Sequence, residues 1–158
     1  ALMSRGLGDV YKRQLLWRPN DITQIEEVTS KGGNWIILIK SATNVLKGDN
    51  FVFVYPELLQ NKIIVRRGEL IISEIVEKKD LNIKNINSKI KALIRKTRDK
   101  IKLRGSIVNE ITTKGDFIKK IRDSLKINQN NKYRLEVISL KDSKTAETII
   151  VELNITKI

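Results

Sequence analysis

Two hydrophobic periods divide this chain, and together they restrict the folds open to it. Ile83, Ile86, Ile90, Ile94, Thr97 and Ile101 recur at spacings of three and four, with Leu93 broadening the stripe. That is the repeat of one face of an α-helix, and Gly105 stands where a C-terminal cap belongs. Further on, Tyr133, Leu135 and Val137 alternate with Arg134 and Glu136. Ile149, Val151 and Leu153 alternate with Ile150, Glu152 and Asn154. A period of two marks strands buried on one face. Helical and strand periods in separate segments of one chain predict an α+β fold, with mixed or antiparallel strands and two principal helices.

The remaining segments fill in this outline. Asp21 is placed as an N-cap for a helix carrying Ile22, Ile25 and Val28, ended by Gly32-Gly33-Asn34. Trp35 to Lys40 reads as a short buried strand. Lys47 to Asn50 is a turn, and Phe51 to Tyr55 is a strand closed by Pro56. Lys62 to Arg66 and Glu69 to Val76 flank the turn Arg67-Gly68 and read as a hairpin-like pair. Ile107 to Ile111 is a short strand or an extended linker. Asp116 caps a second helix with Phe117, Ile118, Ile121 and Leu125 on one face, and Asn128 to Asn131 form a polar turn. Ala146 to Ile158 reads as a terminal strand tied into a sheet.

The order helix, strand, turn, strand occurs twice, at 21–56 and at 116–156. With a shift of 98 positions, Trp35, Ile37 and Ile39 meet Tyr133, Leu135 and Val137, while Phe51, Phe53 and Tyr55 meet Ile149, Val151 and Leu153. A duplicated unit would give this match, and so would any two helix–hairpin pairs. Residues 62–105, the hairpin and the long helix, stand between the two copies.

At 158 residues the chain fits one domain, or two very small ones; a single domain is expected here over 15–158, with residues 1–14 a non-native or flexible arm. The string from Ser4 to Gln14 resembles a translated sequencing-adapter artefact that recurs at the ends of metagenomic reading frames. A native basic arm is the alternative. Gly6-x-Gly8 lacks the strand and helix that a phosphate loop requires. No apolar run is long enough for a transmembrane helix.

The chain has no Cys and no His. It therefore has no disulfide framework, thiol nucleophile, imidazole base or ordinary zinc site. Glu26-Glu27 and the pair Glu74 and Glu77 are the nearest acidic neighbours, and nothing in the sequence sets them in a cleft that would separate their pKa values. Trp17 and Trp35 read as core anchors, and Lys47-Gly48-Asp49 as a plain turn. No catalytic residue, metal ligand, cofactor or small-molecule substrate is nominated, and no enzymatic activity is expected.

Charge is the one chemical signal. There are 31 Lys+Arg against 18 Asp+Glu, a formal +13. The long helix holds Lys84, Lys89, Lys91, Arg95, Lys96, Arg98, Lys100, Lys102 and Arg104, against Asp99 alone. Such a helix can attract phosphate backbones or anionic lipid head groups. Lys89, Arg95, Lys96 and Lys102 are the candidate anion-binding residues. Aromatic stacking has no support in this helix, which contains no aromatic residue. Lysine excess in an Ile-, Lys- and Asn-rich chain also fits a merely solvated face.

Four stretches carry a family resemblance: Ser41-Ala42-Thr43-Asn44-Val45-Leu46-Lys47-Gly48-Asp49, Asn61-Lys62-Ile63-Ile64-Val65-Arg66-Arg67-Gly68-Glu69-Leu70-Ile71, the helix ending at Gly105, and Thr145-Ala146-Glu147. In this order, across most of residues 35–158, they resemble a family of uncharacterised bacterial proteins with a domain of unknown function. Its members look like membrane-anchored chains with N-terminal transmembrane helices, a coiled coil and a C-terminal globular region. The resemblance implies that this chain is a soluble C-terminal fragment of a membrane-anchored envelope protein. A non-enzymatic interaction or scaffold role is then expected, docking by a strand edge or the basic helix on a protein partner or an anionic surface. A nucleic-acid-binding module and a fragment of an enzyme with its active site elsewhere are the alternatives.

Overall fold

The computed structural model of the chain describes residues 14–81, 83–127 and 132–158. The expected arm before Gln14 and the expected turn at Asn128–Asn131 lie outside the described residues, as do the side chains of Ile83, Lys84 and Leu125. The fold is α+β, with strands in both parallel and antiparallel pairs. The sequence reading treats 15–158 as one domain; the contacts divide the chain into two compact units, with the boundary between Asn61 and Lys62.

The first unit contains β1 (Gln14–Leu16), α1 (Pro19–Ser30), β2 (Trp35–Ser41) and β3 (Phe51–Gln60). Its sheet has the order β1-β3-β2, with β1 parallel and β2 antiparallel to β3. The helix starts earlier than Asp21: Arg18 is the N-cap and Pro19 the first helical residue. Proline suits that position because its missing N–H would have no partner there. Asp21 is instead a buried first-turn acid accepting a hydrogen bond from Arg18 Nε at 3.3 Å, and the positive end of the helix dipole favours its charge. The third strand also runs past its expected end, through Pro56 to Gln60. Because β1 pairs only with Phe51–Phe53, Pro56 sits where one side of β3 has no neighbouring strand, a place that tolerates proline.

The second unit contains β4 (Ile63–Val65), β5 (Leu70–Glu77), a 3-10 turn at Lys78–Leu81, α2 (Ile83–Leu103), β6 (Ile111–Lys114), α3 (Phe117–Ile127), β7 (Lys132–Ser139), β8 (Ser143–Lys144) and β9 (Ile149–Lys157). Its main sheet has the order β5-β7-β9-β6, and α2 carries the chain from one edge to the other. Tyr133, Leu135 and Val137 of β7 and Ile149, Val151 and Leu153 of β9 are all buried, so the alternation read from sequence marks the inner face. Ile86, Leu93 and Ile101 of α2 and Phe117 and Ile121 of α3 join them in one core. Both helices thus cover the same sheet face. Each large apolar side chain buried there contributes about 1.5–3 kcal/mol.

Helix ends follow their caps. Asp116 Oδ1 accepts from the Lys119 amide at 2.9 Å, as expected for α3. At the end of α2, Gly105 has φ +103°, its amide bonds Lys102 O, and the Ser106 amide reaches back to Ile101 O. This is the Schellman arrangement, which needs a residue at ease with positive φ.

The expected hairpin of residues 62–76 is not formed. β4 pairs with β8 and β5 pairs with β7, so the two strands belong to different sheets. The turn between them explains the split. Gly68, at φ +77°, is the third residue of a tight turn closed by the Glu69 amide on Arg66 O. Its outer amides then bond to the β7–β9 connection: Gly68 N–H to Ser139 O at 2.7 Å and Arg67 N–H to Asp142 Oδ1 at 2.7 Å. The Glu69 carboxylate accepts from the Arg66 amide at 2.9 Å and from Arg104 Nη1 at 2.5 Å, and Arg104 also reaches Ile64 O. Those contacts join turn, β4 and the C-terminus of α2.

The repeat survives in element order but not in which face is buried. α1-β2-β3 and α3-β7-β9 share their order, and both strand pairs are antiparallel. Yet Val137 faces Leu153, whereas Ile39, 98 positions before Val137, faces Pro56 instead of Tyr55. A one-residue slip turns every side chain over. In β3 the buried residues are Val52 and Val54, while Phe51 and Phe53 are 55% and 57% exposed. Trp35 to Lys40 is not a buried strand: Ile37 and Ile39 are exposed, although the register puts them on the face of Val52 and Val54.

Two stability tests follow from this packing. The Arg66 amide first, then Arg104, hold the Glu69 carboxyl below the usual carboxylate range. A lowered folded pKa contributes stability that is full above the unfolded value, about 4.3, and is lost as pH falls through the folded value. Glu69→Ala should therefore destabilise the second unit by about 1–2 kcal/mol at pH 7, and the deficit should shrink below pH 4 in urea titrations. An equal deficit at both pH values would rule out the charge as its source. Separately, the Tyr133 hydroxyl is buried with no hydrogen-bond partner among the described residues. Tyr133→Phe should leave the urea midpoint unchanged or raise stability by up to about 1 kcal/mol; a clear loss would reveal a partner.

Candidate functional site

The basic residues of α2 do not form one undifferentiated surface. Core contacts on one side of the helix sort them into rows. Ile86, Leu93, Thr97 and Ile101 are buried, with the Thr97 hydroxyl bonded to Leu93 O at 2.8 Å. At about 100° per residue, the side turned away from the core carries Lys91, Arg95, Arg98 and Lys102, with the exposed Asp99 beside Arg95 and Lys102. The four cations, at spacings of four, three and four, form a row about 16 Å long.

The structure separates the four residues nominated from sequence. Arg95 and Lys102 lie in this outward row, seven residues apart, and both are exposed. Lys89 and Lys96, also seven apart, lie on the flank. Lys96 Nζ pairs with Glu74 at 3.0 Å. Glu74 stands opposite the buried Leu135 in the β5–β7 register, hence on the helix side of the sheet. Lys96 is thus neutralised, and Lys89 is half-buried. Arg104 is taken up by Glu69 and Ile64 O.

Lys91 and Arg98 complete the outward row, and the site nomination missed both. The signal was their spacing relative to Arg95 and Lys102. Among the described residues, none of Lys91, Arg95, Arg98 and Lys102 has an ion pair. Arg98 is half-buried, with its Nε covered and unpartnered. The row makes three like-charge neighbours at i,i+3 or i,i+4, each destabilising by about 0.2–0.5 kcal/mol. Four unpaired cations on a rigid helix can compensate phosphate or carboxylate charges on an extended partner.

Charge is divided unevenly along the chain. Residues 62–158 hold 24 Lys+Arg and 12 Asp+Glu, whereas residues 14–61 hold 4 and 5. The electrostatic field needed for an anion therefore belongs to the second unit.

The first unit offers a different exposed feature. Phe51, Phe53 and Tyr55 alternate along β3, the middle strand of its sheet, and share one face. Lys40 stands opposite Tyr55 and pairs with Glu57, which raises the Lys40 pKa. The row is thus lined by aromatic rings and a neutralised ion pair. Trp17 and Trp35 are half-buried, with Trp35 Nε1 donating to Gly32 O at 3.0 Å.

Among the described residues, no helix is long and apolar enough to cross a membrane. No family model, curated protein or solved structure matches the chain.

The rows make a structural prediction. Reversing charge at Lys91, Arg95, Arg98 and Lys102 together should leave the circular dichroism spectrum intact and move the Tm by only a few degrees, because no native pair is broken. Arg104→Ala should lower the Tm more, since it removes the partner of Glu69. Comparable losses in the two variants would mean that the outward row is structural.

Proposed function

We propose that this chain is a non-enzymatic interaction module that docks through the outward face of α2 on an anionic partner. The observation that carries this reading is the row Lys91, Arg95, Arg98 and Lys102, four cations with no ion pair among the described residues. A long-range field from 24 basic against 12 acidic residues in the same unit supports it. The family resemblance supplies a setting: the C-terminal part of a membrane-anchored bacterial envelope protein, where an interaction module serves assembly. Catalysis has no comparable support, because no histidine or cysteine is available and no residue is nominated as a nucleophile or a base.

Arg95→Glu separates docking from folding. It turns the repulsions Lys91–Arg95 and Arg95–Arg98 into attractions, and the i,i+4 attraction Arg95–Asp99 into a repulsion. These changes largely offset one another, so the variant should match the wild type in stability to within about 0.5 kcal/mol. It should nevertheless elute from immobilised heparin at a clearly lower salt concentration than the wild-type chain. Unchanged elution would sink the proposed docking face, since reversing a charge inside a real contact row must weaken it.

A further inference from the structure

We infer that the anionic partner is double-stranded DNA met across its major groove, with Lys91 and Lys102 on the two backbones and Arg95, Arg98 and Asp99 facing a G·C pair between them. This inference rests on the anion-docking reading for its phosphate contacts. Its choice of ligand rests on the order of side chains along α2 alone. That order is lysine, arginine, arginine, lysine, with Asp99 directly after the second arginine. Lys91, Arg95, Asp99 and Lys102 are exposed, and Arg98 is half-buried. Asp99, like the four cations, has no ion pair among the described residues.

The acid decides among occupants. A partner that offers only negative charge, such as a lipid head group or an acidic peptide, is repelled by a carboxylate inside the row. A carboxylate helps only where the partner also offers donors. The floor of the DNA major groove does so: guanine presents its O6 and N7 acceptors and cytosine its N4 amino donor. Phosphates line both rims of that groove. Cations at the ends and a mixed centre match this cross-section. The dimensions agree as well. Lys91 and Lys102 lie about 16 Å apart along the helix axis, more than the groove opening of about 12 Å, so a helix laid across the groove sets one lysine over each rim. Arg95 and Arg98 each stand about 6 Å in from the nearer end, over the opening.

Residue type follows the same division. A lysine is a point charge suited to a phosphate, whereas the planar guanidinium fork takes O6 and N7 of one guanine together. In Arg98 the Nε is covered and has no partner among the described residues, so the Nη nitrogens are the edge left to face a ligand. The core keeps the row straight, since Leu93, Thr97 and Ile101 are all buried beneath it. A single strand has no groove for a straight row to cross, and the major groove of duplex RNA is too deep and narrow for side chains to read. A lipid surface would reward an apolar side chain among the cations. Leu103, the exposed large apolar residue of α2 among the described residues, projects about 100° away from Lys102.

The experiment titrates the full chain against labelled 20-base-pair DNA duplexes, one G·C-rich and one of A·T pairs only, and against oligo(dT) and phosphatidylglycerol vesicles, each across a salt series. The wild type should bind the G·C-rich duplex about fivefold or more tighter than the A·T duplex, and both duplexes tighter than oligo(dT). Arg95→Lys with Arg98→Lys keeps every charge and removes both forks; it should bring the two duplexes to within about twofold with the salt slope unchanged. Arg95→Lys alone, at an exposed position, should already narrow the gap. Asp99→Ala should narrow it from the other side, by tightening binding to the A·T duplex. Lys91→Gln with Lys102→Gln should instead flatten the log–log salt slope by about 1.8 and leave the G·C preference in place. Equal affinity for the two duplexes, or a preference that survives the paired lysine variant, overturns the groove assignment and leaves the anion-docking face standing. Oligo(dT) or vesicles bound as tightly as the duplexes overturn it too, and point to a single strand or a lipid surface. Failure to bind heparin or any of these polyanions removes the docking reading itself.

Discussion

Glu69 is the residue on which the second unit's architecture turns. Its carboxylate holds the tight turn after β4 and receives Arg104 from the last turn of α2. Its backbone N–H donates to Arg66 O to close that turn, and its carbonyl accepts from Ser139 N–H at 3.0 Å. One side chain thereby ties together two sheets and a helix end. The geometry matters because a plain hairpin was the simplest outcome for two strands around Arg67-Gly68. The carboxylate and the outer amides instead hold the strands apart, so that each finds its own partner. Nearby, Thr145 bonds Lys62 through both backbone and hydroxyl, and the Ile107 amide bonds Thr145 O. Three stretches distant in sequence, 61–71, 101–107 and 142–147, form one corner.

Much of the second unit was legible because its signals are local. The three-and-four repeat from Ile83 to Ile101 set α2, Gly105 ended it, Asp116 started α3, and alternation in β7 and β9 named the buried face. Partner choice for β4 was not legible, since it depends on a carboxylate–guanidinium contact spanning 35 positions. The first unit was harder to read because Phe51-Val52-Phe53-Val54-Tyr55 is apolar on both faces. Period alone cannot say which side turns inward there. In the fold the valines are in and the phenylalanines out, and a single slip relative to β7 and β9 separates Phe51 and Phe53 from the face of Ile37 and Ile39. Pro56 was read as closing a strand and interrupts nothing, while the helix start at Pro19 was overlooked in favour of Asp21.

The candidate site was half visible. A charge count located α2, and helical spacing would have grouped Lys91 and Arg98 with Arg95 and Lys102. The count could not show that Lys96 meets Glu74, a residue 22 positions away on a neighbouring strand. Removing paired cations from the total is what turns a basic composition into a directional face. The aromatic row needed the register of β3, which is a property of the fold and not of composition.

The absence of histidine, read together with the outward row of α2, fixes what that face can respond to. The row is made of two lysines and two arginines, and it has no imidazole, the side chain suited to switching near neutral pH. Ionic strength acts on it directly, because screening shortens the reach of exposed charges. Contact made through this row is tuned by the surrounding salt.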